Sequence, residues 1–317
     1  MSNLIGESVN RTSSKLFYHL LALAVVAVWG VTFVCTKTLI SAGMHPAAIF
    51  AIRFILAYIG IWGICLAGKE KVRIFSDSWK DESVFLFLGI TGGSFYFLTE
   101  NTALAYTQAS NVAFLVCVAP LFTILLGLLY RRFRQDRFAA ALERVGSGWL
   151  LFAGTALALA GMALMLFDGA RVQVSLRGDL LALGAALCWA LYSLFMGKMT
   201  EEYGAVFATR KVFAYGLLTI LPFLLGRGFA PLSLFAEPVV WGNLLFLGLV
   251  ASLACFVAWN LAMSKIGNIT ATNYVYLNPV FTLVSAIIIL GERLTPAGAI
   301  GSALILLGVV LAGKRNQ

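Results

Sequence analysis

The chain has 317 residues, of which 61% are hydrophobic and 12% charged. A water-facing surface takes roughly 25% charged residues, so half that share excludes a soluble globular protein and turns most of the exterior to lipid. The net charge of +9 would suggest nucleic acid in a soluble protein, but here the basic residues follow membrane topology, and no nucleic-acid partner is expected.

Arg11 and Lys15 precede the first apolar run, as in a secretory leader. That run is too long, lacks an A-x-A site and is followed by further apolar spans, so it reads as the first membrane helix. A spanning helix needs about 20 mostly apolar residues. Candidate spans lie at roughly 17–40, 46–67, 83–106, 109–130, 147–167, 179–199, 206–225, 240–263, 270–290 and 297–313. Pro46 and Pro296 stand at helix starts, where a missing N–H costs nothing, and Thr295 is a natural N-cap. Pro120 and Pro279 fall inside apolar spans, where each predicts a kink. Gly154-x-x-x-Ala158 and Gly298-x-x-x-Ser302 predict close helix packing. Cys35, Cys65, Cys117, Cys188 and Cys255 all lie in apolar runs without CxxC spacing, and His19 and His45 are the only histidines. No metal site, disulfide or cofactor is expected.

With a cytoplasmic N-terminus, the inside segments hold Arg11 and Lys15; Lys69, Lys71, Arg73 and Lys80; Arg131, Arg132, Arg134, Arg137 and Arg144; Lys198, Arg210 and Lys211; Lys265; and Lys314 and Arg315. The outside loops hold Arg171, Arg177, Arg227 and Arg293. This positive-inside bias places both termini in the cytoplasm.

Asn101-Thr-Ala-Leu-Ala leading to Pro120-Leu-Phe-Thr123 aligns without a gap on Asn260-Leu-Ala-Met-Ser leading to Pro279-Val-Phe-Thr282. Ala103 meets Ala262, Val116 meets Val275, and Trp29 falls near Trp189. Each unit has five spans. An odd number forces the second unit to enter from the opposite side, giving two inverted five-helix repeats, an architecture of secondary transporters that alternate access about a central site.

Trp29-Gly30 with Thr32-Phe33, Pro46 with Arg53, Glu100-Asn101-x-Ala103-Leu104-x-Tyr106-Thr107-x-Ala109-Ser110, Pro120, Asn278-Pro279-Val280-Phe281 and Gly291-Glu292 together resemble the EamA family of the drug/metabolite transporter superfamily. The resemblance runs from about Tyr18 to Ala312 and implies a ten-helix, all-α permease, mostly of bacterial inner membranes. It divides the chain into a cytoplasmic tail (1–16), a first repeat (17–167), an external linker (168–178), a second repeat (179–313) and a cytoplasmic tail (314–317). One departure is Arg131-Arg132-Phe133 where the family often has Gly-Glu, which leaves no acidic residue there to carry a role.

Charged residues within spans are functional candidates because of their cost in lipid. Glu100 can bind a substrate cation or a coupling proton, or form a structural ion pair with Arg53 or Lys37. Arg53 can meet a carboxylate or phosphate, and Lys37 can snorkel to the interface. Trp29, Thr32, Tyr96, Asn101, Trp189, Tyr192, Trp259 and Asn260 suggest an aromatic cavity with polar points for a small organic substrate, and Tyr274 and Asn278 extend it toward Pro279. On the repeat alignment Glu100 and Trp259 are counterparts, expected to face each other.

The expected function is secondary-active export of amino acids, nucleobases or drug-like metabolites. Partners would be the bilayer, the substrate and a proton or counter-substrate, and the carrier a monomer or homodimer. A nucleotide-sugar antiporter would carry more lysines in its central spans, and a scaffold would need longer loops. No P-loop, HExxH or GxSxG motif supports an ATP-driven pump or an enzyme, and Asp168 and Asp179 flank an external loop.

Overall fold

A computed structural model describes residues 2–68, 72–107, 109–141, 149–166, 175–225, 232–290 and 295–313, and these residues contain no β-strand. Helix α1 (Ser2–Ser41) starts ahead of its apolar run. Helix α2 (Pro46–Ala67) has Pro46 in its first turn and is capped by His45, whose Nδ1 accepts from the Ala47 N–H. Helix α3 (Trp79–Tyr106) begins one turn earlier than hydropathy suggests. Its polar start is capped by Ser78 and carries Asp81 and Glu82 at the positive helix end. Helix α4 comes in two pieces, Ala109–Val116 and Ala119–Phe133. A one-turn helix (Arg137–Ala141) precedes α5 (Trp149–Leu166).

The second half repeats this plan with α6 (Leu176–Tyr203), α7 (Ala205–Leu224), α8 (Pro238–Ile266), a three-piece α9 (Asn268–Asn273, Tyr274–Leu277, Asn278–Leu290) and α10 (Pro296–Gly313). Thr295 caps α10, its Oγ1 accepting from the Gly298 N–H at 3.0 Å. Seven of these helices are long and apolar enough to cross a membrane. α5 and α10 are shorter apolar helices, and α9 falls into pieces at its break. Leu125, Leu129, Leu218 and Ile288 on the outer faces are exposed, as lipid contact requires.

The two halves share their irregularities as well as their order. α3 carries a π-helical stretch at Ile90–Ser94 and α8 one at Phe246–Ala254, at equivalent places in the repeat. α4 and α9 both break just before their prolines, so Pro120 and Pro279 open new helical pieces and do not kink continuous helices. Proline fits there because a first helical turn needs no N–H from it.

α1 packs on α8 and α9, α4 on α6, and α3 on α6 and α7. The two repeats are therefore interleaved, with their shared core on the central axis. α5 and α10 pack chiefly on each other and reach that core through Ala158, Met162 and Ile305. A Cβ on Gly161 would stand 2.5 Å from the Gly301 carbonyl, and one on Gly308 the same distance from the Gly154 carbonyl. These backbones touch, as the small-residue spacing around Gly154 predicts.

Candidate functional site

The core of the interleaved repeats encloses a cavity lined by Trp29, Thr32 and Phe33 of α1, Arg53 of α2, Tyr96, Phe97 and Glu100 of α3, Val116 of α4, Trp189 of α6, Phe256 of α8, and Val275 and Asn278 of α9. Its volume of about 30 Å³ holds a water or two and is far below that of an organic solute. Phe97 and Phe256 are counterparts in the repeat alignment, as are Val116 and Val275. The cavity therefore sits where equivalent elements of the two halves meet.

The aromatic wall is continuous. Trp29 meets Trp189 edge-on at 5.2 Å between centroids, Phe256 at 5.7 Å and Trp259 at 5.0 Å. Tyr96 lies 5.2 Å from Trp189. Trp29 is fixed by an Nε1–H bond to the Ala251 carbonyl at 3.0 Å, inside the π-helical stretch of α8. A π turn leaves carbonyls out of register with the helix, which frees one to accept from a side chain.

Two charges face this wall. Arg53 is 2% exposed and Glu100 7%, a depth at which an uncompensated charge is costly. Arg53 donates from Nε to Ser252 Oγ at 2.8 Å, and its guanidinium lies over the Phe97 ring at 4.4 Å. Ser252 also belongs to the π-helical stretch of α8, so the second repeat orients the first repeat's cation. Glu100 accepts from Tyr96 Oη at 2.9 Å, one helical turn away. Among the described residues neither charge makes an ion pair within 4.0 Å. The structural ion pair of Glu100 with Arg53 or Lys37 is thus not formed. Lys37 instead donates to the Leu104 and Thr107 carbonyls at 2.5 and 3.1 Å, closing the end of α3.

Seven of the residues expected from sequence line the cavity: Trp29, Thr32, Arg53, Tyr96, Glu100, Trp189 and Asn278. Asn278 Oδ1 and Trp189 Nε1 are buried without a partner. The other candidates stand elsewhere. Asn101 donates to the Pro46 carbonyl at 3.1 Å, tying α3 to the start of α2. Asn260 accepts from Tyr192 Oη at 2.5 Å and donates to Thr209 Oγ1 at 2.9 Å, tying α8 to α6 and α7. The asparagine of each repeat thus joins its third helix to its second. Trp259 is fully buried behind Trp29 and does not face Glu100 across the cavity.

Tyr274 bonds His19 Nδ1 at 2.9 Å, beside the break in α9. Asp179 is no free loop carboxylate: Asn111 Nδ2 donates to it at 2.6 Å and to Thr107 Oγ1 at 3.1 Å, linking α4 to α6. Gly291-Glu292 and Asp168 lie outside the described residues. Sequence reasoning missed Phe97, Val116, Phe256 and Val275 as lining residues, although Phe97/Phe256 and Val116/Val275 were visible as repeat counterparts.

The EamA-like transporter family profile matches residues 16–167 and again 176–313. The chain belongs to this family. It is a multi-pass membrane transporter of the drug/metabolite superfamily, built from two copies of one unit. It is 28% identical to an uncharacterized transporter of Archaeoglobus fulgidus over 94% of this chain and 98% of that one. It is also 28% identical to a probable amino-acid metabolite efflux pump of Salmonella typhimurium, over 92% and 93% of the two chains. A probable terminal-alkyne amino-acid exporter of Streptantibioticus cattleyicolor is 26% identical over 75% of each. A solved crystal structure superimposes with a TM-score of 0.71 at 21% identity, covering 94% of this chain and 97% of its own, which shows the shared fold.

Proposed function

We propose that this transporter is a secondary-active exporter of small organic metabolites, amino-acid-like zwitterions foremost, working by alternating access in a bacterial inner membrane with both termini cytoplasmic. The observation that carries the reading is a pair of buried opposite charges, Arg53 and Glu100, on one aromatic-walled cavity between inverted repeats. Arg53 offers a fork for a carboxylate and Glu100 an acceptor for an ammonium, while Trp29, Phe97 and Phe256 provide an apolar bed for a side chain. The relatives named a probable terminal-alkyne amino-acid exporter and a probable amino-acid metabolite efflux pump support a neighbouring substrate class.

Glu100 serves as the proton-coupling site. A carboxylate shared between a proton and a substrate ammonium cannot hold both, so uptake of one drives release of the other. The cavity must widen to take such a solute. In proteoliposomes with an imposed pH gradient, L-phenylalanine counterflow is expected to be saturable and gradient-dependent. Glu100→Gln should abolish the gradient dependence while leaving the melting transition in place. Unchanged pH dependence in that variant would remove Glu100 from coupling.

A further inference from the structure

We propose that a second site, distinct from the central cavity, binds a compact anionic group, carboxylate or phosphate, in a vestibule at the end of the molecule where the apolar span of α1 begins, at Lys15. This vestibule has a volume of about 710 Å³, room for a whole metabolite where the central cavity has none. Its wall draws on both repeats: Lys15 and His19 from α1, Arg137 from the one-turn helix before α5, Lys198 and Glu201 from α6, and Lys265 from the end of α8.

The charges in this wall are unequally matched. Arg137 pairs with Asp81 and, through Nη1, with Glu202 at 2.9 Å. Lys198 pairs with Glu201 at 3.0 Å and Glu202 at 3.7 Å. These contacts use up the one acidic residue of the lining and both carboxylates behind it. Lys15 and Lys265 have no carboxylate within 4.0 Å among the described residues, and they come from opposite repeats. Topology alone asks for lysines anywhere along this face; it does not ask for two unmatched ones on a single concavity. Low-dielectric walls around like charges focus their field on the enclosed volume and concentrate anions there.

The vestibule and the central cavity are arranged in series. His19 lines the vestibule and holds Tyr274 at 2.9 Å. Tyr274 opens the turn Tyr274–Leu277, and the next residues along α9, Val275 and Asn278, line the central cavity. The vestibule is therefore linked to Arg53's chamber through His19, Tyr274 and the turn that follows it. The vestibule makes no use of Glu100 or Arg53, so its occupancy does not depend on the export reading.

The test uses the full chain in phosphatidylcholine nanodiscs and ¹⁹F NMR titration with 4-fluorobenzoate and its neutral isostere 4-fluorobenzamide. The expected result is a preference for the benzoate of about fivefold or more at low salt, shrinking as salt rises, as exposed charge pairs do. Lys15→Gln/Lys265→Gln should erase the preference, and Lys15→Arg/Lys265→Arg should keep it. Equal binding of the two probes, or a preference that survives the double glutamine variant, overturns the site. Loss of the preference in Arg53→Gln overturns it too, by moving the anion to the central cavity. Repeating the titration in nanodiscs containing phosphatidylglycerol distinguishes the sources. Undiminished benzoate binding assigns the site to soluble anions, and competition assigns it to a lipid headgroup phosphate.

Discussion

On the proposed reading, substrate recognition turns most directly on Arg53. Its side chain reaches the cavity from α2, and its direction is set by Ser252 across the repeat boundary. A hydrogen bond to a charged group contributes about 1.5–3 kcal/mol, so Arg53→Gln should raise KM for a carboxylate-bearing substrate by roughly 10- to 100-fold. The corresponding amide should lose far less. Arg53→Lys should not restore the wild-type value, because a single ammonium cannot present a planar fork. Ser252→Ala should give a smaller rise in KM with kcat preserved, since it frees the guanidinium without removing it. Equal losses for acid and amide would show that Arg53 supports folding and does not read the carboxylate.

At the scale of the helices, the asparagines that revealed the repeat are bolts between helices. Asn260 fills hydrogen-bonding positions to Tyr192 and Thr209 in a fully buried setting. Asn260→Ala leaves both hydroxyls short of a partner, at about 1–3 kcal/mol each, and should lower the melting temperature in detergent more than Asn101→Ala, which strips one bond from the Pro46 carbonyl. Residual transport in Asn260→Ala should keep its substrate preference; a switch in preference would return Asn260 to the cavity wall. The match of Asn101 with Asn260 was legible because both repeats must solve the same packing problem. What the match means was not legible, since a buried amide holding helices together and one holding a substrate have the same sequence signature. The aromatic wall shows the same limit: Trp29 and Trp189 stood out as tryptophans deep in spans, whereas Phe97 and Phe256 are indistinguishable from lipid-facing phenylalanines until helix rotation is known. Pro120 and Pro279 marked the right places but the wrong geometry, because a proline does not disclose whether the preceding turn bends or breaks.

For the whole molecule, inversion of the second repeat has a direct consequence for which side of the membrane each element meets. Lys80 at the start of α3 and Val239 at the start of α8 are counterparts in the gapless alignment and both are exposed. Parallel repeats would set them on the same side; inverted repeats set them on opposite sides. In the proposed topology the Lys80 end lies in the cytoplasm. In a background with the five native cysteines, all within or at the ends of helices, replaced by serine or alanine, Val239→Cys should react with a membrane-impermeant maleimide in intact cells. Lys80→Cys should react only in inside-out vesicles. Labelling of both from one side would contradict inversion, while reversed sidedness of the two would keep the inverted fold and turn the whole transporter over, placing the basic vestibule and its unmatched lysines outside the cell.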